Sequence, residues 1–379
     1  MERKKIIYLS TVEDGPFQGV RKKIKMQCKA FEEIGLEVIA INSGKRTFVG
    51  QIEKLLPHAL GINYRIIKNK IKEIPKDTVQ YCYIRYSPAS RGLLDVMKTV
   101  KCNQKSIKMI LEIPTYPYED ELKGAKALPS KIKERIYRSK MRKYVDLVVT
   151  PSHIDQSTIF GIPALEITNG IDVGSMKTRT PVEKKENSLN IIGVALITPK
   201  QGYDRVIKGI SEYINTKDPS EPDVFFYIIG TGNEKSELEK MSAELHLSRY
   251  IVFTGEKENE ELEYYYSIAD IGVGTLGLYK TNELNKVNSL KTREYCAKGL
   301  PFIITDCDYM FADNNFEFCK IVENNDSYID IRTIIQFLEE INQNHQSREV
   351  ISRMNLFANT HLSWSNILQK VIKTVDETR

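Results

Sequence analysis

The chain of 379 residues exceeds the size at which one hydrophobic core usually stops growing, so two domains are expected. Its 41% hydrophobic and 28% charged content suits a soluble globular protein, and no apolar run approaches the roughly 20 residues of a membrane span. The net charge of +5 is unevenly spread: residues 1–150 carry 31 Lys and Arg against 16 Asp and Glu, whereas residues 151–379 carry 24 against 34. A basic first half predicts contact with a polyanion, and without interleaved aromatics a membrane surface or lipid phosphate is favoured over nucleic acid.

Met1–Ser10 passes from charge straight into a strand-like stretch and lacks the apolar region and cleavage site of a secretory signal, so a cytoplasmic location is expected. Cys28, Cys82, Cys102, Cys296, Cys307 and Cys319 are scattered without a C-x-x-C pair and read as reduced thiols; the five isolated histidines form no metal cluster. Strand-like segments follow at Ile6–Ser10, Glu37–Asn42, Val79–Arg85, Lys108–Ile113, Asp146–Thr150 and Leu165–Thr168. After a polar stretch the pattern restarts at Leu189–Val194, Val224–Ile229, Ile251–Thr254, Asp270–Gly274, Phe302–Thr305 and Cys319–Val322. Apolar strands alternating with helical patterns imply parallel sheets covered on both faces. The expected fold is therefore α/β with two Rossmann-like domains and ligands at the carboxyl ends of the strands, in the cleft between them. The boundaries read as 1–172, 173–360, and a final amphipathic helix over 361–379 that returns to the first domain. Trp364 opens that helix, with Ser363 as its N-cap.

Four segments bear on chemistry. Asp14-Gly15-Pro16-Phe17-Gln18-Gly19-Val20 follows the first strand, where glycines either make a tight turn or let the backbone approach a ligand. Gly230-Thr231-Gly232 follows another strand, but Lys235 stands where a dinucleotide fingerprint needs its third glycine; a single phosphate or ribose remains compatible. Ser289–Pro301 reads as a helix with Lys291 and Glu294 on one face, either an exposed pair or a cation for a diphosphate beside a carboxylate for ribose hydroxyls. Leu290, Tyr295 and Ala297 place the helix start close to the sheet. Ser130–Val145 reads as a basic helix with Ile132, Ile136, Tyr137, Met141, Tyr144 and Val145 on its core side. Its Lys131, Lys133, Arg135, Arg138, Lys140, Arg142 and Lys143, with Arg21, Lys22, Lys23 and Lys25 of the first helix, either face water or meet an anionic membrane. Asp306-Cys307-Asp308 has the D-x-D form of a metal site, but such pairs are common in loops.

Several of these stretches, in order and spacing, resemble retaining GT-B glycosyltransferases of family 4, especially bacterial surface-polysaccharide enzymes. They are Asn169-Gly170-Ile171-Asp172, Gly202-Tyr203-Asp204-Arg205, Ile229-Gly230-Thr231-Gly232, Phe253-Thr254-Gly255, Ala269–Gly274 and Leu290–Pro301. In the first half the resemblance covers Gly15, Gly19 and Glu112–Glu119. It implies a nucleoside diphosphate sugar donor linked to UDP or GDP, retention, no metal or cofactor, and a lipid-linked saccharide acceptor at the inner face of the membrane. It assigns the donor to Gly19, Lys200, Gly202, Gly230, Gly232, Leu290, Lys291 and Glu294, with Glu294 on the ribose. Tyr116 and Glu119 are assigned to the transferred sugar or the acceptor.

The chain departs from the family at three places: Lys286 replaces an expected Glu, while Ala195 and Gln201 replace the Arg and Lys that neutralise the diphosphate. Lys291 and Arg205 are the expected replacements, with Lys200 and Arg293 behind them. A sugar-nucleotide epimerase on the same fold and a non-catalytic nucleotide-sugar-binding subunit are the rival readings.

Overall fold

The computed structural model describes residues 3–10, 18–42, 62–87, 89–117, 128–182, 187–281, 288–314 and 316–378. The chain divides into two compact units, Met1–Thr168 with Trp364–Arg379, and Asn169–Ser363.

The first unit is built on β1 (Lys5–Ser10), β2 (Glu37–Asn42), β3 (Tyr81–Arg85), β4 (Lys108–Glu112), β5 (Leu147–Thr150), β6 (Thr158–Ile159) and β7 (Ile162–Glu166). They lie in the order β2-β1-β3-β4-β5-β7-β6, parallel throughout except for the antiparallel pair β6–β7. The sheet is covered by α1 (Gln18–Glu33), α2 (Ile62–Glu73), α3 (Arg91–Asn103) and α4 (Leu128–Tyr137). Strand interiors such as Ile6, Ile7, Cys82, Tyr83, Met109 and Ile110 are fully buried, as expected of parallel strands packed on both faces.

The second unit carries β8 (Ser188–Val194), β9 (Asp223–Ile229), β10 (Ile251–Gly255), β11 (Ile271–Val273), β12 (Phe302–Thr305) and β13 (Cys319–Val322). Their order, β10-β9-β8-β11-β12-β13, is that of a doubly wound nucleotide-binding sheet, reversing between β8 and β11. The helices are α5 (Tyr203–Thr216), α6 (Lys235–Glu244), α7 (Asn259–Ile268), α8 (Leu290–Lys298), α9 (Tyr309–Ala312), α10 (Ile331–Asn344) and α11 (Ser347–Phe357).

The last helix, α12 (Trp364–Glu377), packs its Trp364, Ile367, Leu368, Val371 and Val375 with Tyr8, Phe31, Tyr81 and Tyr83 of the first unit. Tyr81 donates to Asp376 at 2.9 Å, and Lys108 to the Thr378 carbonyl at 2.6 Å. Residues 169–172, read from sequence as the end of the first domain, instead fall in the second unit. The Ile171 N–H donates to the Leu362 carbonyl at 2.9 Å, and Ile171 bridges Ser363 in parallel, so the outgoing and returning chains lie side by side there.

The basic helix also differs from its sequence reading. It is α-helical only to Tyr137 and continues as a 3-10 turn over Arg138–Lys143. Tyr137, Met141 and Val145 are buried, whereas Ile132 and Ile136, both within the α-helical part, are 45% and 40% exposed. The helical period alone places both in the core.

One helix contact is demanding enough to test. A Cβ on Gly209 of α5 would stand 1.9 Å from the Ile329 carbonyl oxygen. Gly209→Ala should therefore destabilise the protein by about 1–3 kcal/mol, although alanine is the better helix former by about 1 kcal/mol. A denaturant midpoint equal to or above the parent's would contradict this.

Candidate functional site

The carboxyl ends of β8 and β11, where the strand order reverses, are where a doubly wound sheet binds its ligand. The loops leaving them interlock through backbone contacts. The Leu276 N–H donates to Gln201 O at 3.1 Å, Gly277 N–H to Lys200 O at 3.0 Å, and Ile197 N–H to Thr231 O at 2.7 Å. Such close approach leaves no room for side chains. A Cβ on Gly230 would meet the Ala195 carbonyl at 1.9 Å, and one on Gly232 the Ile197 carbonyl at 2.0 Å. Gly202, in the left-handed region at φ 66°, lies against the Leu276–Gly277 backbone. The glycines read from sequence as ligand-facing thus serve first to let three loops lie against one another.

Lys291 enters this scaffold from the first turn of α8. It is 8% exposed, and its Nζ donates to Gln201 Oε1 at 2.6 Å while lying 5.2 Å from the centre of the Tyr203 ring. Among the described residues no carboxylate pairs with it. Burial pushes its amine well below the ordinary lysine range, and the Lys200 charge adds to the effect. Gln201, one of the family departures, is therefore the direct partner of the lysine proposed to replace it. Glu294 lies three residues further along α8, half-buried. Leu290 is 43% exposed, so the helix start reaches the sheet through Lys291, Tyr295 and Ala297 rather than through Leu290.

Arg205 is bound up in the scaffold. Its guanidinium is 1% exposed and donates from Nε to Ser327 O at 2.7 Å and from Nη1 to Leu276 O at 2.8 Å. These carbonyls tie the loop after β11 to the segment before α10, so two of the three Arg205 nitrogens clamp backbone. Arg293 is likewise committed: fully buried, it pairs with Asp308 at 2.6 Å and donates to Asn288 Oδ1 at 2.8 Å. The second aspartate of the D-x-D sequence is thus engaged in an internal ion pair, and the described residues contain no group of three or more potential metal ligands. Glu119 and Lys286 lie outside the described residues, as do residues 11–17 of the first loop. Gly19 falls in the first turn of α1.

Two further clusters carry no signal in the sequence. Lys280 binds Asp204 at 2.5 Å and lies 4.0 Å from Glu234, whose carboxyl is raised by burial against the opposing pull of Lys280. The three residues come from separate segments, so no spacing reveals them. The other cluster lies at the carboxyl edge of the first sheet. Glu112 is fully buried; its Oε1 accepts from Lys23 at 2.9 Å and Arg85 at 3.1 Å, and its Oε2 from Gln27 and Tyr83, both at 3.1 Å. Lys23 also lies 5.2 Å over the Trp364 ring, joining α12 to the cluster. Tyr116, on the loop after β4, donates its N–H to Ser152 Oγ at 2.7 Å and accepts from Gln156 at its hydroxyl.

Burial opposes ionisation of Glu112, but the Lys23 and Arg85 charges outweigh it and hold its carboxyl below the usual range. Stability from this group is therefore complete above the unfolded value of about 4.3 and is lost as pH falls through the lower folded value. Glu112→Gln strands two buried cations and should cost about 3–5 kcal/mol at neutral pH while flattening the acid limb of the stability curve. Denaturant titrations from pH 7 to pH 3 check both effects, and an unchanged acid limb would refute the assignment.

Residues 176–351 match the sequence family described as Glycosyl transferases group 1. No curated protein matches the chain. Among solved structures, HepE from Anabaena in complex with UDP aligns with TM-score 0.64 at 13% identity, over 98% of this chain and 99% of that one. A glycosyltransferase from Rickettsia africae aligns with TM-score 0.63 at 14% identity, over 100% and 99%. Sucrose-phosphate synthase from Thermosynechococcus elongatus aligns with TM-score 0.61 at 12% identity, over 99% of each chain.

Proposed function

We propose that this chain, a GT-B glycosyltransferase, transfers a sugar from a UDP- or GDP-linked donor on the second unit to a saccharide acceptor on the first, with retention and without a bound metal. The observation that carries the reading is Lys291. An ammonium group held in a dry site by one amide oxygen is costly, and a diphosphate is the anion that would offset it. Gly202, Gly230, Gly232 and Lys200 shape the loops around it, and Glu294 accepts the ribose hydroxyls. In the reaction the bond from the sugar's anomeric carbon to the diphosphate oxygen breaks, with Lys291 and the N-terminus of α8 stabilising the departing charge. An acceptor hydroxyl forms the new bond on the same face, and its proton passes to the leaving phosphate oxygen. The resemblance assigns Tyr116 and Glu119 to the acceptor.

Lys291→Ala should weaken UDP or GDP binding about ten- to a hundred-fold, the value of a charge-assisted hydrogen bond, while uridine or guanosine binds as before. A bound diphosphate favours the charged amine and so raises its depressed value. Affinity is then retained below the free-state value and falls as pH rises through it, with protons taken up on binding in that window. Calorimetric titrations in two buffers of different ionisation heat should show that uptake in the parent and none in Lys291→Ala. Equal UDP affinity of the two proteins would sink the reading.

The acceptor is proposed to be lipid-linked, with the protein peripheral at the inner membrane face. The support is Ile132 and Ile136, one turn apart and exposed, beside the exposed cations Arg135, Lys140, Arg142 and Lys143. No helix among the described residues is long and apolar enough to cross a membrane. The protein should sediment with anionic vesicles at low salt and be released at high salt, each cation near the surface contributing about 1 kcal/mol. The combined changes Ile136→Glu, Arg135→Glu and Lys140→Glu should abolish this. Equal partitioning onto neutral vesicles would exclude it.

A further inference from the structure

The first sheet also reverses direction, with β2 on one side of β1 and β3 on the other. Arg85 ends β3 and is paired in register with Glu112, the last residue of β4. Only Nη1 of its guanidinium engages Glu112, at 3.1 Å, and that carboxylate oxygen is shared with Lys23 at 2.9 Å. The other Glu112 oxygen is taken by Gln27 and Tyr83. Glu112 thus has no capacity left for a second bond to Arg85. Among the described residues, Nε and Nη2 of Arg85 have no hydrogen-bond partner, and neither is sealed from solvent. The side chain is 10% exposed and ends its strand at the carboxyl edge of the sheet.

A guanidinium anchored by one nitrogen and open at the others is pre-set for two-point recognition of an oxyanion. Gln27, Tyr8 and Tyr83 pack around the anchoring carboxylate, with Tyr8 donating to Gln27 at 2.6 Å and stacking on Tyr83 at 5.3 Å. The carboxylate that anchors the fork is thereby fixed in place. The geometry points to Arg85 as the anchor of a phosphate carried by the acceptor, either a phosphosugar or a lipid phosphate. This rests on the transferase reading but on different residues from those that hold the donor.

The test fills the nucleotide site with saturating UDP and titrates the full-length protein with glucose 6-phosphate and with geranyl phosphate, using glucose and geraniol as phosphate-free controls. At least one phosphate probe should bind, and its controls should not. Binding of glucose 6-phosphate alone identifies a soluble phosphosugar, and binding of geranyl phosphate identifies a lipid phosphate. Arg85→Gln, which can still donate to Glu112, should weaken the probe at least ~10-fold, equivalent to about 1.4 kcal/mol. Arg85→Lys keeps the charge but not the fork, and should also bind more weakly than the parent; it carries the test if Arg85→Gln does not fold. Lys291→Ala, without UDP, should bind the probes like the parent, so failure of the donor assignment and failure of this one are separable. Parent-like binding by both Arg85 variants, competition between UDP and the probes, or no probe binding would each overturn the proposal.

Discussion

The second unit is organised around one constraint, a lysine ammonium kept out of water without a carboxylate beside it. Lys291 has an amide oxygen, an aromatic face and a like charge for neighbours. A carboxylate in place of Gln201 would satisfy the amine but cancel the charge that a diphosphate requires. A second lysine there would add charge while removing the acceptor that fixes the amine's position. An amide does neither: it orients the donor and leaves its charge available. On the proposed function, the arrangement trades stability of the empty protein for preorganisation toward an anion.

That trade works only if the surrounding loops cannot relax. Their rigidity comes from backbone packed on backbone at Gly230, Gly232 and Gly202, and from the Arg205 guanidinium bound to two carbonyls. The Arg293–Asp308 pair extends the same principle to the start of α8, since Arg293 also holds Asn288, two residues before the helix begins. Lys291 and Glu294 therefore stand on a helix whose approach is fixed by a buried ion pair. Charges that look equivalent in sequence have been divided between one held by an amide, one that holds backbone and one locked in an ion pair.

This division explains what the sequence could and could not reveal. The β8, β9 and β12 runs were readable because parallel strands buried on both faces are continuously apolar, a one-dimensional signal. The helix carrying Lys291 and Glu294 was readable for a similar reason, being bounded by Gly299 and Pro301. Burial of individual cations was not. Arg205 and Lys291 both open helices after loops, and only three-dimensional packing shows that Arg205 meets carbonyls and Lys291 an amide. Ile132 and Ile136 differ for another reason: Glu134 and Tyr137 take the buried face of α4, and at about 100° per residue the two isoleucines fall off it although they are apolar. Glu112 and Arg85 were hidden because each reads as the polar end of an apolar strand, and only the register of β3 against β4 brings them together.

The two carboxyl edges solve the same electrostatic problem in opposite ways. In the second unit a neutral amide holds the Lys291 amine with no opposing charge beside it among the described residues. In the first, one carboxylate is divided between two cations, so Arg85 is anchored without being saturated. The first solution suits a group that must respond to charge developing on a leaving diphosphate, because the field of an uncancelled amine is strongest where water is excluded. The second suits recognition of a charge that does not change during reaction, because a half-engaged guanidinium offers geometry more than field. Within the positive balance of residues 1–150, one cation is built into the sheet edge itself, at the reversal of strand order, and is bonded through one nitrogen only among the described residues.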